Sequence, residues 1–124
     1  SVSGIPLAQL MKQDRIDALV DRARKGGGEI VALLKTGSAY YAPAAAAVQM
    51  AEAIARNKRR ILPCAAWLQG EYGMKGLFLG VPCLLGEKGL ERIIEVELDT
   101  SEKAALEASA AAVRTTVAEL KALG

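Results

Sequence analysis

The 124-residue sequence contains no histidine. That absence removes the commonest general base near neutral pH and the commonest transition-metal ligand. Aromatic residues make up only 4% of the chain, and cysteine occurs twice, at Cys64 and Cys83. Two cysteines form neither a disulfide framework nor a four-ligand metal site, so no metal centre is expected. Without a C-x-x-C spacing, nothing marks either thiol as activated, and both read as small buried hydrophobes. A reducing compartment, the cytoplasm, is the default for such a chain. No uninterrupted apolar run has the length of a bilayer span, and no signal peptide is visible, so no membrane partner is expected. Charge of either sign is not in excess: 16 basic residues against 14 acidic ones leave +2, which argues for neither nucleic acid nor an anionic surface as a partner. Lys58-Arg59-Arg60 is the one basic cluster, placed where a helix is expected to end and where cations complement the helix dipole. The chain opens on Ser1 without an initiator methionine, as expected of a processed chain or a piece of a longer polypeptide.

What the sequence does have is apolar surface in small units. Apolar residues reach 52%, much of it alanine, which suits closely packed helices and leaves a face to be buried against another domain or subunit. The helical periodicity predicts a first helix capped by Asp14, with Ile16, Leu19, Val20 and Ala23 on one stripe, stopped by Gly26-Gly27-Gly28. A short second helix carrying Ile30, Leu33 and Leu34 is expected to stop at Gly37. A third carries Val48, Ala51, Ile54 and Ala55 and ends near Asn57, with Pro43 in its first turn or bending it. Three strands are expected at about 60–68, 76–85 and 91–98. The first two are apolar at both parities, which predicts that both sheet faces are covered, and Pro63 and Pro82 predict a bulge or an edge. Asp99 and Glu102 have the spacing of a capping box before a last helix, whose stripe is Leu106, Ala110, Val113, Val117 and Leu120. Helices, then antiparallel strands, then a helix define an α+β class in one domain.

Candidate sites are few. Gly26-Gly27-Gly28 lacks the preceding strand and the spacing of a phosphate loop. "GEYG" at Gly70–Gly73 reads as a hairpin loop, with contact of Glu71 or Tyr72 to a neighbouring subunit as the alternative. "KTGSAYYAP" at Lys35–Pro43 gathers Ser38, Tyr40 and Tyr41 at a helix start. Ser38 has no histidine to activate it as a nucleophile, so it is either a helix cap or one wall of a larger site.

These residues are similar to a known family. "SGIPLAQLM", "RARKGGGEIVALLKTGSAYYAPAAA", "ILPCAAWLQGEYG" and "GLFLGVPCLLGEKGLERIIEVEL", followed by the closing helix, resemble the C-terminal part of bacterial NAD-dependent malate dehydrogenases of the lactate-dehydrogenase-like branch, in unbroken order over essentially the whole chain. The resemblance implies that residues 1–124 are the C-terminal substrate domain of a two-domain enzyme. The Rossmann domain that binds NAD, the proton-transferring histidine and the substrate-binding arginines are all expected before Ser1, so no catalytic residue is expected in this chain and the chain alone is expected to be inactive. It places Ser38 and Ala39 on the wall of the substrate pocket and Pro43 against the nicotinamide, and it implies (S)-malate and oxaloacetate as substrates, the N-terminal half as a partner and a homodimer or homotetramer. Lactate in place of malate, and a non-catalytic interaction module with the same fold, stand as the alternatives.

Overall fold

The computed structural model describes residues 2–123. It falls into two units, residues 1–47 and residues 48–124. The elements are α1 (Gln13–Leu34), α2 (Tyr41–Ala55), β1 (Arg60–Gln69), β2 (Lys75–Gly86), β3 (Gly89–Ile93) and α3 (Thr100–Leu123), with short 3-10 turns at Leu7–Gln9 and Glu71–Gly73.

In the first unit, α1 runs straight through the three glycines that were expected to stop it. Stopping a helix at glycine uses a left-handed residue, and none of Gly26, Gly27 and Gly28 has positive φ. The left-handed residue is instead Lys35, at φ 63°, and its N–H bonds back to the Val31 carbonyl at 2.9 Å. The two expected helices are therefore one. Arg22 also reaches across the glycine turn to Glu29, with a Nη2–Oε1 distance of 3.0 Å. The helix starts earlier than expected too: Lys12 occupies the cap position, and Asp14 lies in the first turn, where its carboxylate accepts from the Arg15 N–H and complements the dipole. No residue of α1 is fully buried.

The second unit is a three-stranded antiparallel sheet in the order β1-β2-β3, with α3 against β2. Strand lengths match expectation except for β3, which ends at Ile93 rather than near 98; beyond it Ile94 donates to the Pro82 carbonyl at 2.8 Å. Pro63 lies opposite Pro82. Neither has an N–H, so this pair must fall at a non-hydrogen-bonded position of the ladder, where both nitrogens point away from the partner strand. β1 is an edge strand among the described residues, and Pro82 lies where β3 pairing ends, so both prolines are tolerated without a bulge. The ladder irregularities fall elsewhere, between Trp67 and Gln69 and between Leu84 and Leu85.

Alternation along β1 and β2 sends Leu62, Cys64, Ala66 and Leu68, with Leu77, Leu79, Val81, Cys83 and Leu85, to one face. They form the core together with Ala53 of α2 and Ala110 of α3, with Leu106 and Val113 packed around it. Fully burying a side chain such as Leu68 contributes about 2 kcal/mol. The α3 stripe is used only in its first half, because Val117 and Leu120 remain exposed. The opposite sheet face is also exposed, although coverage of both faces was expected. It carries Ile61, Trp67 and Phe78, the two aromatic rings meeting edge-on with centroids 5.2 Å apart.

Local chemistry fixes the joints. α2 ends in a Schellman motif: Asn57 is left-handed (φ 45°), with Asn57 N–H to Ile54 O at 3.0 Å and Lys58 N–H to Ala53 O at 2.9 Å. The Asp99–Glu102 capping box forms as the spacing predicts: Asp99 Oδ1 accepts from the Glu102 N–H at 2.8 Å, and Glu102 Oε2 accepts from the Asp99 N–H at 3.0 Å. At the β1–β2 turn, Tyr72 has φ 55°, its hydroxyl donates to Ile94 O (2.8 Å) and accepts from Val96 N–H (3.2 Å), and Glu95 accepts from its N–H. The turn thus ties down the segment leading to α3.

Candidate functional site

The segment Lys35–Pro43 joins α1 to α2. Its path is set by three residues in the left-handed region: Lys35, Gly37 (φ 82°) and Tyr40 (φ 33°). Tyr40 supplies the carbonyl that accepts the first α2 hydrogen bond, from Ala44 N–H at 3.0 Å. Its ring folds back over Gly37, so that a methyl group added at Gly37 would fall within 3 Å of the phenol. Between these two anchors lie Ser38, which is exposed, and Ala39, which is only 8% exposed. Pro43 is the third residue of α2, in the first turn as expected, where its missing N–H leaves no helical bond unmade, and it too is exposed.

Ser38 is not a helix cap. α2 begins at Tyr41, three residues further on, and Tyr40 stands immediately before it. The segment therefore brings Ser38, Tyr40, Tyr41 and Pro43 to the surface on one short stretch without an acid, base or nucleophile among them beyond the unactivated serine hydroxyl and the phenols. Such a surface can contact and exclude water from a ligand; it cannot transfer a proton at neutral pH by itself.

The other groups singled out in the sequence are occupied structurally. Cys64 and Cys83 are buried and free, on adjacent strands but offset, Cys64 opposite Val81 and Cys83 opposite Leu62. Cys83 Sγ donates to Val81 O at 3.3 Å, and its burial, foremost, pushes the thiol pKa up, which makes it a poorer nucleophile. Glu71 accepts from the Gln69 N–H, which together with the backbone of its own turn holds its carboxyl below the usual range. Among the described residues no cluster of three or more His, Cys, Asp or Glu could hold a metal ion, and no helix is long and apolar enough to cross a membrane. Tyr40 organises the segment from a position that no sequence pattern marks.

Residues 1–123 match the lactate/malate dehydrogenase, alpha/beta C-terminal domain, and the chain belongs to that family. A malate dehydrogenase from Roseiflexus sp. (strain RS-1) is 56% identical over 123 residues, covering 99% of this chain and 40% of the relative. The malate dehydrogenase structure from Salinibacter ruber is 51% identical with a TM-score of 0.94, over 99% of this chain and 40% of that one. The lactate dehydrogenase of Cryptosporidium parvum, in complex with lactic acid and nicotinamide adenine dinucleotide, is 42% identical with a TM-score of 0.86, over 93% of this chain and 38% of that one. The chain thus spans about two fifths of the length of these relatives.

Proposed function

We propose that this chain is the C-terminal substrate domain of an NAD-dependent malate dehydrogenase that interconverts (S)-malate and oxaloacetate. The observation that carries the reading is the 56% identity over 123 residues to a protein named malate dehydrogenase. The fold agrees, since the match to the Salinibacter ruber enzyme extends through both units. In this reading the chain supplies one wall. Ser38 faces the substrate and Pro43 meets the nicotinamide, while Ala39, placed on the same wall by the resemblance, is turned inward beside Ser38. The exposed proline ring on the first turn of α2, beside Ala42 and Ala44 and without a neighbouring charge in that turn, suits a flat apolar contact. NAD, when bound, accepts the hydride removed from the hydroxyl-bearing carbon. The resemblance implies that the base that takes the hydroxyl proton and the arginines that grip the carboxylates by bidentate pairing belong to the N-terminal part, with the Rossmann domain. The work of this chain is to orient and to keep water out.

The full enzyme is then a homodimer or homotetramer, cytoplasmic, in central carbon metabolism. The test has two arms. The purified 124-residue chain is expected to give no malate-dependent NADH. The same chain expressed with an N-terminal half is expected to give it, with malate preferred over lactate. Activity in the isolated chain, or preference for lactate in the reconstituted enzyme, overturns the reading.

A further inference from the structure

We propose that Tyr40 is a positioning residue for the substrate wall, holding Ser38 in place through the contact of its phenol with Gly37. The inference rests on the function proposed above and names a residue to which that reading assigns nothing. Three observations carry it. The Tyr40 ring lies against Gly37, close enough that any side chain at Gly37 would collide with it. The Tyr40 carbonyl accepts the first hydrogen bond of α2 at 3.0 Å, so the same residue is fixed to the helix that presents Pro43. Its backbone stands at φ 33°, in the left-handed region where a bulky side chain is strained unless its surroundings hold it there.

The consequence is a closed staple. Gly37 and Tyr40 are the two ends of a loop whose only other members are Ser38 and Ala39. With the phenol seated on Gly37, separating the two ends loses that contact, and the loop favours the shape that exposes Ser38 and turns Ala39 inward. Without the ring, Gly37 regains the wide freedom of a glycine flanked by small residues, and Ser38 loses a defined position relative to Pro43. Glycine at 37 suits its positive φ, and a Cβ there would displace the Tyr40 phenol.

Hydrogen exchange on the full-length enzyme tests the staple. Tyr40→Ala is expected to speed exchange of the Ala44 amide, which the Tyr40 carbonyl holds, several-fold, Gly37→Ala to reproduce that change by displacing the phenol, and Tyr40→Phe to give a smaller change. Steady-state kinetics on the full-length enzyme tests its purpose. Tyr40→Ala is expected to raise KM for malate about tenfold while KM for NAD stays, the size of effect that a misplaced contact produces. Tyr40→Phe, which keeps the ring, is expected to give a smaller rise. Unchanged exchange in Tyr40→Ala overturns the staple. Altered exchange with unaltered KM overturns its role in positioning for malate. A parent enzyme without malate activity overturns the proposed function instead, and the exchange measurement still decides whether Tyr40 holds the loop.

Discussion

Two single side chains at the ends of the same segment hold α3 to the sheet, and each makes a distinct prediction. Asp99 accepts from the Glu102 N–H, the Ser101 hydroxyl and the Ser101 N–H, and these donors, the Glu102 N–H first, hold its carboxyl below the ordinary 3.8. A carboxylate with a lowered pKa in the folded state stabilises fully above its unfolded pKa, and that contribution disappears as pH falls through the folded value. The acid limb of a urea-midpoint profile, followed by circular dichroism, should therefore shrink in Asp99→Asn, which keeps a cap but has no charge to lose. Asp99→Ala should lose the cap at every pH and lower helix content. An Asn variant with an undiminished acid limb would show that Asp99 is not the group that titrates. Tyr72 acts without titrating. Its half-buried hydroxyl bridges Ile94 O and Val96 N–H, and removing it leaves both without that partner. Tyr72→Phe should destabilise the second unit by about 1 kcal/mol in urea unfolding, with no change in the slope.

At the level of elements, the sequence was most legible where the signal was local and used side chains of fixed geometry. The Asp99–Glu102 box, the Asn57 end of α2 and the first-turn Pro43 depend on neighbours within a few residues, and each lies where spacing put it. The first two strands were legible as apolar runs of strand length bounded by glycine-containing turns, while the alternation of buried and exposed residues along Leu62–Leu68 and Leu77–Leu85 belongs to the fold. α1 was misread because a glycine run lowers helix propensity without dictating a stop. Stopping requires one residue to turn left-handed, and Lys35 does so instead of a glycine. Helix-competent segments on both sides, joined by the Arg22–Glu29 pair, carry the hydrogen-bond ladder across. Of the two readings of Ser38, the cap fails because α2 starts three residues further on, after the left-handed Tyr40. The glycine turn should still be the weak point of α1. A side chain added at any of the three meets nothing within 4 Å, so Gly→Ala there is strain-free. Each replacement should stabilise the helix by about 1 kcal/mol, and the triple variant should show slower amide exchange across residues 24–32 with higher ellipticity. Destabilisation by alanine would mean that the glycines admit a closely packed neighbour.

The molecule as a whole shows more apolar surface than its core can use, and the second unit concentrates it on one sheet face. Both faces of β1 and β2 were expected to be covered, since "LPCAAWL" and "LFLGVPCLL" have no polar parity, yet Ile61 and Phe78 are each 59% exposed and Trp67 47%. The sequence pattern is that of a covered sheet. Covering the remaining exposed half of the Trp67–Phe78 pair, about 200 Å² in all, is worth roughly 5 kcal/mol. That is no more than the low end of the free energy that two separate bodies lose on association, roughly 4–15 kcal/mol. A covalently attached domain bears little of that cost, so the face suits a tethered neighbour better than a free one, in keeping with an enzyme of which this chain is one part. The isolated chain should accordingly self-associate weakly. Sedimentation velocity should show the average mass rising with concentration through the micromolar range, and Phe78→Lys with Ile61→Lys should return it toward 13.0 kDa. The double variant should keep the circular dichroism of the parent, since both positions point away from the core. A parent chain that stays monomeric throughout that range would show that the face is tolerated bare. A double variant that still associates would place the contact elsewhere, with the exposed α3 residues Val117 and Leu120 as the next pair to replace.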